Sequence, residues 1–115
     1  MKVTKCYAED SSVLTGASTH DILAVTSSGL VDFIYVKGIA NTANLTNWQI
    51  EIDGTASSLN FNFPYLEDFK IKVDNTANFV LISNKKIIFN TSFKVQAVTS
   101  GNLTVKYLMF VHENQ

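Results

Sequence analysis

The chain has one cysteine, one proline and no arginine, and each scarcity removes a class of protein. A lone Cys6 cannot close an internal disulfide. With His20 and His112 as the only histidines, a four-ligand Cys/His zinc site cannot be assembled. A chain that folds without disulfides is expected to be made in a reducing compartment. Arginine is the usual two-pronged reader of guanine and phosphate, and the nine basic residues here are all lysines, without a basic stripe. Nucleic acid is therefore not an expected partner. Charge is also scarce, at 17% of residues and a net −1, below the roughly 25% common in soluble domains. Asn, Thr and Ser supply the polarity instead, and weak charge lowers the repulsion that keeps copies apart. No apolar run approaches the roughly 18 residues of a membrane-spanning helix, so no membrane is expected as a partner. Met1-Lys2-Val3-Thr4 lacks the apolar core of a signal peptide. The Asn-x-Ser/Thr sequons at Asn44, Asn90 and Asn102 then read as products of an Asn/Thr-rich sequence.

Catalytic signatures are missing as well. No serine stands in Gly-x-Ser-x-Gly, and there is no Gly-rich phosphate loop, His-Glu-x-x-His or Cys-x-x-Cys. His20-Asp21 are neighbours on a strand and point to opposite faces, so they do not converge. His112 lies near the C-terminal end. Glu51 and Asp53 share a strand face about 7 Å apart, which overlaps glycosidase carboxylate spacing, but alternation places them on the solvent side. The sequence assigns no catalytic, cofactor-binding or metal-binding residue, and an enzyme is not expected.

What is present is apolar: 46% of residues are hydrophobic and 11% aromatic. At 115 residues the chain is one domain, 1–115, able to bury roughly 65% of its extended surface. Helical periodicity is nearly absent and β-branched and aromatic residues abound. Strands are expected near 3–8, 20–26, 30–38, 45–53, 57–63, 69–74, 79–83, 86–98 and 103–111. The stretch 86–98 reads either as one strand or as two broken at Asn90-Thr91. The expected fold is all-β: an antiparallel, jelly-roll-like β-sandwich of about eight or nine strands. Residues 9–19 are small and polar, so 1–19 reads as an N-terminal arm and loop.

Turn chemistry supports this layout. Asp53-Gly54 sits between two alternating runs and predicts a type I′ hairpin. Thr99-Ser100-Gly101-Asn102 is a second tight turn, and Pro64 ends the strand carrying Phe61 and Phe63. Asn-Thr-Ala-Asn occurs at 41–44 and again at 75–78, where Asn tolerates left-handed backbone. Trp48 shares a face with Ile50 and Ile52 and is expected in the core. Tyr65, in the loop after Pro64, is the candidate ring for contact with a ligand such as a sugar.

Three segments break the alternation. Leu30–Val36, Phe79–Ile82 and Tyr107–Val111 are apolar on both faces, whereas a half-buried antiparallel strand needs only one such face. The second face must be covered too. The candidate partner interface is Val31, Phe33, Tyr35, Tyr107, Met109 and Val111, or their opposite-face neighbours. Asp32, the one charge inside these strands, needs a partner of the lysine type if buried, with Lys37 and Lys106 as candidates.

The order Leu45-x-x-Trp48-x-Ile50-x-Ile52-Asp53-Gly54-Thr55, then Phe63-Pro64-Tyr65, then Phe89-x-x-Ser92-Phe93-Lys94-Val95 resembles small β-sandwich virion proteins of tailed bacteriophages, over about residues 30–98. The resemblance implies a non-enzymatic structural protein of the virion, made in the host cytoplasm. It would be a capsid decoration (cement) protein or a fibre module, homotrimeric, with no cofactor, its partners being its own copies and a capsid or tail. A carbohydrate- or receptor-binding module of a phage tail or fibre is the alternative. The resemblance rests on fold-forming positions and transfers no functional residue.

Overall fold

A computed structural model describes residues 2–59, 71–74 and 79–114. Among these, the chain forms nine strands: β1 (Lys2–Leu14), β2 (Thr19–Val25), β3 (Gly29–Ala40), β4 (Leu45–Ile52), β5 (Thr55–Leu59), β6 (Ile71–Asp74), β7 (Phe79–Phe89), β8 (Phe93–Thr99) and β9 (Leu103–Asn114), with a short 3₁₀ turn at Thr42–Asn44. They make two antiparallel sheets, one in the order β1-β9-β3-β7-β6 and the other β2-β8-β4-β5. The pairs β1–β9, β2–β8, β3–β7 and β4–β5 are nested along the chain and fall alternately in the two sheets. This is jelly-roll-like connectivity, with β6 added at one edge. The expected β-sandwich is the observed fold.

The core lies between the sheets. Val31, Ile34, Val36, Val105, Met109 and Val111 from the larger sheet meet Trp48, Phe93, Val95 and Ala97 from the smaller one, all essentially without solvent contact. Trp48, the largest side chain, is fully enclosed there, as expected from alternation. Phe89 and Phe93 lie in the same core with ring centroids 5.6 Å apart.

The Asp53-Gly54 hairpin forms as its sequence requires. Asp53 has φ 52° and Gly54 φ 88°, and Ile52 pairs with Thr55 across the two-residue loop. Asn41 likewise takes a left-handed φ of 58° before the 3₁₀ turn. The second Asn-Thr-Ala-Asn, at 75–78, lies outside the described residues, as do Pro64, Tyr65 and the aromatic residues around them.

Two expectations change. Residues 2–14 are the edge strand of the chain's own larger sheet, so the first eight residues are not a detached arm and 9–14 are not a loop. The polar run Glu9 to Ser12 is accommodated by a register shift, since a bulge suits residues with no apolar face to bury. The strand expected at 79–83 also does not end there: β7 continues through 83–86 to Phe89, and of the two readings of 86–98 the broken one is observed, with the break at Asn90–Ser92. That break is fixed by Asp53, whose Oδ1 accepts the backbone N–H of Asn90 (2.8 Å), Thr91 (2.7 Å) and Ser92 (3.3 Å).

Candidate functional site

The three segments apolar on both faces are β3, β7 and β9, and they are adjacent in the order β9-β3-β7 at the centre of the five-stranded sheet. Their inner faces build the core. Their outer faces line up into rows across the strands, because directly paired residues share a face. One row runs Cys6, Phe110, Phe33 and the Ser83 position; the next runs Ala8, Leu108, Tyr35, Leu81 and the Lys72 position. The Phe33 and Phe110 rings meet edge to face with centroids 5.9 Å apart. Ile88, 68% exposed, and Val13, 64% exposed, extend this apolar band toward its two ends. Leu81, Phe33, Tyr35, Leu108 and Phe110 are each partly exposed.

The expected interface set therefore splits. Val31, Met109 and Val111 have no exposed surface and point into the sandwich, and Tyr107 packs against the core. Phe33 and Tyr35 face outward. The reason is a bulge: Val31 opposes Val111 while Phe33 opposes Phe110, so Asp32 is an extra residue in β3 and reverses the alternation beyond it. On β9 the period is unbroken here, and the outward side chains are Leu108 and Phe110, the opposite-face neighbours. Asp32 itself carried the signal. A charge inside an apolar run marks a place where the pleat is interrupted.

Among the described residues the partner of Asp32 is a histidine, not Lys37 or Lys106. Asp32 Oδ2 lies 2.9 Å from His112 Nε2, and His112 Nδ1 lies 2.7 Å from Thr4 Oγ1. A carboxylate can only accept, so the imidazole donates from Nε2 and, when neutral, accepts the Thr4 hydroxyl at Nδ1. The chain of contacts ties β3, β9 and β1 together across the sheet. It joins a hydroxyl, an imidazole and a carboxylate, but the ring is turned so that the carboxylate holds Nε2, the nitrogen that faces the nucleophile in a serine hydrolase.

Asp53, Glu51, Glu113 and His20 hold the fold. Asp53 is spent on the β7–β8 turn, and those backbone N–H groups hold its carboxyl below the usual carboxylate range. Glu51 is 3.6 Å from Lys94 Nζ, so Glu51 and Asp53 do not converge. His20 Nε2 sits 2.8 Å from the Gly16 carbonyl and 3.2 Å from Thr99 Oγ1, clamping the β1–β2 loop, while Asp21 points to the opposite face. Glu113 is buried at the sandwich end, where it accepts the Tyr7 hydroxyl and has Lys5 at 3.6 Å. Burial first, and then this carboxylate, push the Tyr7 phenol up to about 12.

The outer face of the four-stranded sheet is built differently. Gln49 Nε2 donates to Gln96 Oε1 and Gln96 Nε2 to Asp21 Oδ1, both at 2.7 Å, and Lys94 lies between Asp21 (3.8 Å) and Glu51 (3.6 Å). Its polar groups are satisfied laterally. A shallow groove of about 360 Å³ lies at the β1 side of the larger sheet, among Ala8, Glu9, Asp10, Tyr35, Lys106 and Leu108. Among the described residues no cluster of three or more His, Cys, Asp or Glu side chains is placed to hold a metal, and no helix is long and apolar enough to cross a membrane. Compared with protein-family models and with curated proteins, the chain matches none.

Proposed function

We propose that this chain is a non-enzymatic structural protein that assembles with its own copies through the outer face of its five-stranded sheet, and in that assembled form joins a larger protein surface. One observation carries the reading: the strands that are apolar on both sides are neighbours, so their second faces merge into one continuous band. A contiguous exposed apolar surface on a small domain marks an interaction site. The opposite sheet, with its laterally bonded Asp21, Gln96 and Gln49, offers no comparable reason to associate.

The setting we propose is a bacteriophage virion, with the chain as a capsid decoration or cement protein. The resemblance of residues 30–98 to such proteins supports it, and jelly-roll sandwiches are frequent in viral shells, an argument by analogy of fold. The mechanism is stabilisation by added contacts, in which repetition over many copies multiplies weak individual interfaces. Light scattering on the full chain tests the reading. The native chain should exceed the monomer mass, and Leu108→Ser with Phe110→Ser should return it to monomer while the fold is retained. A native chain that is monomeric at high concentration overturns it.

A further inference from the structure

We infer that the outer face of the five-stranded sheet closes on the same face of a second copy about a two-fold axis running across the strands. The inference deepens the assembly reading above and depends on it. It rests on how charge is distributed around the apolar band among the described residues. At one end Lys37 and Lys106 are direct cross-strand partners, a like-charge pair that costs stability in an isolated sheet. Neither has an ion-pair partner among the described residues. At the other end, five residues away along β3 and hence about 16 Å distant, stands Asp32, with its side chain 42% exposed and one carboxylate oxygen, Oδ1, not engaged by His112. Between the two ends lie Phe33, Tyr35, Leu108 and Phe110.

A two-fold axis gives an isologous contact, in which each patch meets its copy. Two orientations in the plane of the interface are open. With the axis along the strands, the lysine end of one copy lies over the lysine end of the other. With the axis across the strands, strand directions reverse, and Asp32 of each copy lies over the Lys37–Lys106 pair of its partner. Only the second orientation relieves the like-charge pair, and it does so twice. Either axis keeps strands of the facing sheets nearly aligned, the usual geometry of sheet-on-sheet packing, so charge decides between them. The area suffices. Five strands at about 4.8 Å spacing and about eight residues of length give a face of roughly 24 by 27 Å. Two such faces together hide on the order of 1,300 Å², within the range of specific interfaces.

The test uses charge exchange and sedimentation equilibrium on the full chain. Lys106→Glu places a carboxylate over Asp32 of the partner and should weaken the dimer about tenfold or more, and Asp32→Lys should do the same by facing the partner's two lysines with a third. Mixed together, the two variants should restore a heterodimer of near-native affinity, since each exchanged position then faces an opposite charge. Lys106 is exposed and makes no ion pair among the described residues, so its variant tests the interface even if Asp32→Lys fails to fold. A Lys106→Glu chain that associates more tightly than the native one assigns the other axis and overturns the inference. A native trimer, or a dimer indifferent to both variants, also overturns it while leaving the assembly reading intact. A native monomer overturns both.

Discussion

Replacing Tyr7 by Phe isolates one buried polar contact and gives it a pH signature. The Tyr7 hydroxyl donates to Glu113, which is 6% exposed and, among the described residues, otherwise has only Lys5 at 3.6 Å. Losing a hydrogen bond to a charged, buried acceptor costs about 1.5–3 kcal/mol, so Tyr7→Phe should fall in that range at pH 7. The alkaline limb follows from linkage. The folded phenol is held near 12 against 10.0 for the free side chain, by burial and then by Glu113. Between those values the unfolded chain has lost this proton and the folded chain keeps it, so stability is fully present below pH 10 and falls as pH rises toward 12. Two units would correspond to about 2.7 kcal/mol for a fully enclosed group. Tyr7 is partly exposed on an edge strand, and solvent screening reduces this to about 1 kcal/mol. Urea titrations followed by the fluorescence of the single Trp48, at pH 8 and pH 11.5, measure both quantities. The native chain should lose about 1 kcal/mol more than Tyr7→Phe over that interval. Equal losses in the two chains, or a difference below about 0.3 kcal/mol at pH 7, would refute the reasoning.

Two further predictions concern the fold that presents the interface. A Cβ at Gly29 would stand 2.3 Å from the His112 carbonyl oxygen and 2.9 Å from Phe89 Cζ. Gly29→Ala should therefore destabilise by about 3 kcal/mol or more and disturb the β3–β9 pairing, read as a lowered urea midpoint; an unchanged midpoint refutes it. Asp53 combines a left-handed φ with a carboxylate that three backbone N–H groups stabilise. Its lowered pKa means stability that is present above 3.8 and lost as pH falls through the folded value. Asp53→Asn tolerates the backbone angle but should lack this acid-side loss, whereas Asp53→Ala should also be destabilised at neutral pH. Parallel acid titrations of all three chains would refute the assignment.

Much of the fold was legible because local chemistry and tertiary demand agree. Trp48, Ile50 and Ile52 alternate with polar residues, and they are core on one side and hydrated on the other. Asp53-Gly54 can hardly be anything but a tight hairpin turn. The N-terminal strand was legible at 3–8, but its continuation to Leu14 was hidden because Glu9 to Ser12 carries no periodic signal, and its pairing to β9 comes from backbone hydrogen bonds that any sequence can make. The break at Asn90-Thr91 was legible as one of two readings of 86–98, but what selects it, a carboxylate about 37 residues upstream, has no local signal, and neither has the joining of 79–83 to 86–89 in one strand. The outer apolar band was legible as an excess of hydrophobicity but not as a set of residues. Period-two reasoning groups Val31 with Phe33 and Tyr35, and one extra residue at Asp32 sends Val31 to the opposite face. Tyr65, the expected ligand contact, lies outside the described residues.

That bulge also bears on why the apolar band exists where it does. Without it, β3 would present Val31, Phe33 and Tyr35 on one face, and the two rings would compete with Met109 and Trp48 for space in the interior. With it, Ile34 and Val36 fill the core and the rings turn outward, where Phe33 meets Phe110. The extra residue is an aspartate, whose carboxylate accepts from the neighbouring His112. Asp32 is then at once the device that turns two aromatic rings toward the surface and the negative charge at the end of the band they form. A partner that covers those rings meets Asp32 by construction. For this reason the charge at position 32, more than any single ring, is where the orientation of the partner can be read.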